Sequence, residues 1–74
     1  MVVALMDSEN YEWVALGETE SEAANCILKE WNRRQKEFEK RGYKQAECFK
    51  TWHELSDWYG IRFYHLEKGQ CEVL

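Results

Sequence analysis

The stretch from Thr19 to Gly42, TESEAANCILKEWNRRQKEFEKRG, takes up about a third of the 74-residue chain and constrains everything around it. It carries the marks of one uninterrupted helix. Thr19 and Glu22 form a T-x-x-E capping box, in which the hydroxyl accepts from a backbone N–H three residues on and the carboxylate reaches back. Glu20 and Glu22 lie in the first turn and Lys40 and Arg41 in the last, each charge opposite in sign to its end of the helix dipole. Gly42 follows, where a left-handed residue ends many helices. Ala24, Ile27, Leu28, Trp31 and Phe38, with Gln35 filling one position, recur at the three-and-four spacing of a single buried stripe. At 1.5 Å per residue such a helix runs roughly 30 Å, long enough for its C-terminal half to pass beyond a small core. Glu30–Arg34, Arg33–Glu37 and Glu37–Arg41 are expected to pair along its surface.

Around this helix the chain supplies elements to cover the apolar stripe. Val2 to Met6 and Tyr11 to Leu16 flank the turn-forming Asp7-Ser8-Glu9-Asn10 and read as a hairpin. In the second strand Tyr11, Trp13 and Ala15 share one face, and Glu12, Val14 and Leu16 the other. Residues 43–50 fit a loop, a short strand or a helical turn, and an irregular crossing with Tyr43 and Phe49 turned inward is the favoured reading. A second capping box, Thr51 to Glu54, opens a short helix over 52–59, with Leu55 and either Trp58 or Tyr59 facing in, stopped at Gly60. Ile61 to Leu66 alternates like a strand, with Ile61, Phe63 and His65 on one face. Glu67 to Gln70 is a turn, and Cys71 to Leu74 a last short strand. The expected fold is a two-layer α+β domain of order β-β-α-α-β-β. Two hairpins form a four-stranded antiparallel sheet, with one long and one short helix.

Seventy-four residues suit one domain with a small core. Proline is absent and the four glycines fall at predicted element boundaries, so no flexible linker is expected. No apolar run is long enough to span a bilayer. The opening MVVALM is too short and too uncharged for a secretory leader. Three cysteines without a C-x-x-C pair fit a reducing compartment, and a cytoplasmic location is expected. Cys26, beside the helix stripe, is expected in the core.

The run YEWVALGETESEAANCIL resembles the strand–GETxEEA–helix segment of HicB-type antitoxins, small partners of an RNA-cleaving toxin. It covers about a quarter of the chain. The resemblance implies a small regulatory partner protein. In those domains a further strand precedes the helix, and the second half of this chain does not follow their pattern.

The formal net charge of −4 conceals a separation. Residues 1–28 hold Asp7, Glu9, Glu12, Glu18, Glu20 and Glu22 and no lysine or arginine, whereas residues 29–50 hold eight basic and four acidic side chains. An acidic lobe of this kind can stand in for nucleic-acid phosphates against a basic groove. In size and style the chain is similar to the phage proteins, anti-CRISPR proteins among them, that block nucleases in this way. The eleven aromatic residues exceed what one helix-on-sheet core hides, so some are expected at a binding surface. Tyr11 and Trp13 come first, beside the acidic turn, then Trp52 and Tyr64. The partner-binding set is therefore Asp7, Glu9, Tyr11, Glu12, Trp13, Glu18 and Glu20, and the leading reading is a non-catalytic protein-binding module, a small regulator or inhibitor. Two readings compete with it. Lys29, Arg33, Lys36 and Lys40 form one ridge of the helix that can meet phosphates, which would make the chain a nucleic-acid binder, although a basic total is usual for that class. A homodimer burying the spare sheet face or edge would account for the same aromatic surplus.

Chemistry finds little purchase. Cys48, His53, His65 and Cys71 are zinc-ligand types, but their C-x4-H-x11-H-x5-C spacing lacks a tight knuckle, and no metal or cofactor is expected. Cys48 and His53 lack an orienting third group or an oxyanion site. Paired carboxylates such as Glu20 and Glu22 are explained by capping. The chain is expected to be no enzyme and to have no membrane partner.

Overall fold

The expected hairpin forms. In the computed structural model, which describes residues 1–71 and 73, β1 (Val2–Ser8) pairs antiparallel with β2 (Tyr11–Gly17), from Val2 opposite Gly17 to Ser8 opposite Tyr11. Glu9 and Asn10 are left as a two-residue turn, and Glu9 takes a positive φ of 40°. The long helix α1 (Glu20–Lys40) follows, unbroken. Thr19 caps it as expected, its Oγ1 accepting from the Glu22 N–H at 3.1 Å. The other half of the box is displaced by one residue, since the Glu22 carboxylate takes the Glu18 N–H at 3.2 Å.

The C-terminal end of α1 is a Schellman closure. Tyr43 N–H donates to Phe38 O at 2.9 Å and Gly42 N–H to Glu39 O at 3.0 Å, with Gly42 at φ 79°. The Phe38 and Tyr43 rings meet edge-on at 6.3 Å, the apolar contact that accompanies this motif. That contact holds Tyr43 on the surface, 71% exposed, rather than inward as expected.

The second box also works. Thr51 Oγ1 accepts from the Glu54 N–H at 3.3 Å and opens α2 (Trp52–Tyr59). Leu55 is fully buried, Tyr59 packs against the core, and Trp58 is 75% exposed. Between the helices residues 43–50 are irregular, as expected. Their backbone is fastened to α1 by side chains. Asn32 donates to Phe49 O at 2.8 Å and accepts from Phe49 N–H at 2.9 Å. The Gln35 side-chain carbonyl accepts from Glu47 N–H at 3.3 Å. Phe49 is drawn partly into the core.

The sheet corrects the sequence reading. β3 (Arg62–His65) does not begin a second hairpin; it returns to the free side of β1, Val2 opposite His65 and Leu5 opposite Arg62. The order is β2-β1-β3, three antiparallel strands rather than four. Of the expected last strand, Cys71 and Val73 lie in no strand, and Glu72 and Leu74 lie outside the described residues. The reason is local. β3 offers a partner only four residues, and the turn after it closes on itself, with Gln70 N–H on Glu67 O at 3.0 Å and Glu67 N–H on Gln70 Oε1 at 2.7 Å. So short a pairing gains few ladder bonds. The element order among the described residues is β-β-α-α-β.

The core lies between α1 and one face of this sheet. Val2, Ala4 and Met6 of β1 meet Ala23, Ala24, Ile27, Leu28 and Trp31 of α1, with Leu55 and Ile61 closing the side. Cys26, expected there, is exposed, because the buried stripe runs through Ala23 and Ile27 on either side of it.

Candidate functional site

At the turn end of the hairpin, α1, α2 and the irregular crossing converge on a cleft of about 370 Å³. Its floor is Trp31. That indole sits 4.9 Å from the Tyr59 ring, 5.6 Å from Trp13 and 6.2 Å from Phe49, in tilted arrangements that aromatic pairs prefer. Both indole N–H groups are used. Trp31 Nε1 donates to Glu47 O at 2.8 Å, and Trp13 Nε1 donates to the buried Ser8 Oγ at 2.7 Å. The rings are therefore fixed by hydrogen bonds as well as by packing.

Glu9, Tyr11, Gln35, Phe38, Lys44 and Glu47 also line it. Arg34 lies 5.4 Å over the Trp13 ring while its Nε holds Glu30 Oε1 at 2.9 Å, a cation stacked on one partner and paired with another. The Tyr59 hydroxyl is raised above its ordinary value by burial, then by the negative charge of Glu47 and Glu9. Both carboxylates thus approach one phenol, which stays protonated and able to donate. Such a lining offers ring faces and hydrogen bonds to a planar or apolar group and carries opposed charges at its lip.

The structure divides the expected partner-binding set. Glu9, Tyr11 and Trp13 come together at this cleft. Trp13 is half-buried and packs inward, whereas Tyr11 is 58% exposed. Asp7 and Glu12 face each other across β1 and β2 on the opposite side of the sheet, and Asp7 holds Arg62 at 3.1 Å. Glu18 and Glu20 sit at the other end of β2, about 20 Å away at some 3.3 Å per residue. There Glu20 meets His65 Nε2 at 2.7 Å. The acids of the first 28 residues thus form three groups, not one surface.

No family model, no curated protein and no solved structure matches this chain. The Gly17-Glu18-Thr19 run is accounted for locally by the helix cap.

Lys29, Arg33, Lys36 and Lys40 are all exposed on α1. Arg33 does not pair with Glu37 as expected but with Glu30, at 3.0 and 2.7 Å. Glu30 also takes Arg34, and these two arginines hold its carboxyl down at about 2. Trp52 is turned in, edge-on to Phe63 at 5.5 Å, and His53 stacks on it at 3.8 Å. Among the described residues no group of three His, Cys, Asp or Glu side chains is placed to hold a metal ion, and no helix is long and apolar enough to cross a membrane.

Trp31, Tyr59, Glu47, Arg34 and Lys44 join the cleft without having been singled out as site residues. Gln35 carried the available signal. A polar residue in a buried helix row must find a partner, and its bond to Glu47 draws the crossing over Trp31.

Proposed function

We propose that the chain is a non-catalytic protein-binding module that seats a side chain of its partner in the cleft at the hairpin tip. It acts as a small regulator or inhibitor of the kind phages and mobile elements encode, against a basic, nucleic-acid-handling protein. The observation that carries this reading is the exposed Tyr11 ring standing with Glu9 over an ordered aromatic floor of Trp13, Trp31 and Tyr59. Aromatic side chains in pre-set positions supply much contact area at little entropic cost, and they dominate binding energy at protein interfaces. The net charge of −4 favours encounter with a basic partner.

The test compares capture of partners from lysate by wild type, Tyr11→Ala, Glu9→Lys and, as a control at the far end of β2, Glu20→Lys. Circular dichroism checks each fold. Loss of an anchor residue weakens a complex by roughly tenfold or more. The cleft variants are expected to lose a species that wild type and Glu20→Lys retain. Equal capture by all four would remove the cleft from the account.

A further inference from the structure

One polar group of the core is only half used within the chain. Gln35 sits in the buried row of α1, 3% exposed, and borders the cleft. The Glu47 N–H can only donate, so the Gln35 carboxamide must turn its oxygen toward it, across 3.3 Å. Its NH2 group is thereby turned the other way, and among the described residues no acceptor lies within reach of it. Nor is it sealed in, because no enclosed side-chain nitrogen or oxygen of the described residues is left without a partner. The opening it reaches is the cleft. A donor fixed at the wall of a binding cavity calls for an acceptor on whatever fills that cavity.

Three properties of the cleft narrow the choice. Its open and half-open rings, Tyr11, Trp13 and Tyr59, favour a flat aromatic group over an aliphatic chain. Its charges are matched in number, Glu9 and Glu47 against Arg34 and Lys44, so it selects a neutral group. A cation would also set donor against donor at Gln35. An anion is opposed by Glu47 and Glu9, which with burial already raise the Tyr59 hydroxyl. Its size, about 370 Å³, lies at the low end for ligand cavities and suits one ring system.

We infer that the side chain seated in the cleft is a tyrosine of the partner, its phenol oxygen accepting from Gln35 Nε2 and its ring lying among Tyr11, Trp13 and Tyr59. A phenol both accepts and donates, so a lining that holds Gln35 and two acids can satisfy both capacities. Phenylalanine would fill the same space and leave the Gln35 donor unpaired. The inference rests on the cleft being the partner's seat, as proposed above.

The test is an NMR titration of the full chain with acetyl-Lys-Tyr-Lys-amide and its phenylalanine and histidine counterparts. It runs to about 10 mM, the range of a single anchored side chain. The tyrosine peptide is expected to move the Gln35 NH2 signals together with the Trp13 and Trp31 indole N–H signals. The phenylalanine peptide binds roughly tenfold more weakly, since it strands a donor. Gln35→Leu brings the two peptides to the same affinity. Should that variant not fold by circular dichroism, the comparison on wild type decides alone. Tyrosine and phenylalanine peptides that bind alike, or Gln35 signals that stay still, overturn the inference. So does tighter binding of the histidine peptide or of guanosine monophosphate, which would assign the cleft to an imidazole or a nucleobase. Partner capture that depends on Tyr11 while the two peptides bind alike keeps the cleft as the interface and removes only the tyrosine. Capture indifferent to the cleft variants, with the tyrosine preference intact, keeps the phenol site and removes the interface.

Discussion

Glu9 occupies a position that glycine would suit better. Its φ of 40° lies in the left-handed region, where a side chain other than glycine costs on the order of 1 kcal/mol. The residue there is nevertheless a glutamate, and its carboxylate borders the cleft. Strain retained beside the cleft is what the proposed recognition role predicts, a role for the side chain rather than for the turn. Glu9→Gly is therefore expected to raise stability by about 0.5–1 kcal/mol in urea unfolding, and to weaken capture of the cleft's partner. A destabilised Glu9→Gly would mean that the turn, not the cleft, needs the side chain. Glu30 is the complementary case of a single carboxylate set by its neighbours. Hydrogen bonds from Arg33 and then Arg34 bring it from 4.5 to about 2. Because the folded value is depressed, the stabilisation is complete above 4.5 and fades as pH falls toward 2. The group is exposed, so the effect on global stability is small. A side-chain NMR titration should find the Glu30 midpoint near 2, and an Arg33→Gln/Arg34→Gln double variant should return it toward the ordinary glutamate value.

At the scale of elements, the joint between β2 and α1 is the closest approach that any of the four glycines makes. A Cβ on Gly17 would stand 2.6 Å from the Ala23 backbone nitrogen, which itself donates to Thr19 O at 3.1 Å. Glycine is required there for close approach rather than for a turn. Gly17→Ala should force the first turn of α1 off the strand and cost about 1–3 kcal/mol, comparable to overpacking elsewhere. Thr19→Ala should cost about 1 kcal/mol through the lost cap. Urea midpoints separate the two, and a neutral Gly17→Ala would deny the contact. Both capping boxes, the helix stripe and the hairpin were legible in the sequence, because each is written in residues close together in the chain. The destination of β3 was not. Its alternating pattern says that it is a strand, yet hydrophobic period does not distinguish a hairpin with Cys71–Leu74 from a return to β1. The cleft was half legible for the same reason. Glu9, Tyr11 and Trp13 are neighbours in sequence, whereas Trp31, Glu47 and Tyr59 reach them only through tertiary packing.

Taken whole, the molecule is elongated, 44 × 22 × 18 Å, with a Cα radius of gyration of 13.4 Å. A compact chain of this length would have about 11 Å. The long helix α1 contributes to this shape, running about 31 Å at 1.5 Å per residue against about 23 Å for the seven-residue strands. Its buried residues end at Gln35, and beyond them the Schellman closure and the Phe38–Tyr43 contact hold the last turns. Stability is therefore graded along a single helix. Hydrogen exchange should find amides of 24–31 protected to the level of global unfolding and those of 37–41 opening at least tenfold more readily. Uniform protection along α1 would contradict this gradient. The separation of charge by sequence thirds did not survive as one acidic pole, since β2 carries its two ends to opposite sides of the domain. What the fold made of it is an acidic group at each end and a cleft at one.

Among the described residues, the strand with a neighbour on both sides is the first, β1, and one of those neighbours is the last, β3. During synthesis β1 can zip to β2 almost at once, but its other edge waits for Arg62–His65. At roughly 5–20 residues per second that delay lasts several seconds. Throughout it a growing chain carries an open, apolar ladder edge, and it is in that interval, rather than in the finished molecule, that clumping with its neighbours is most to be feared.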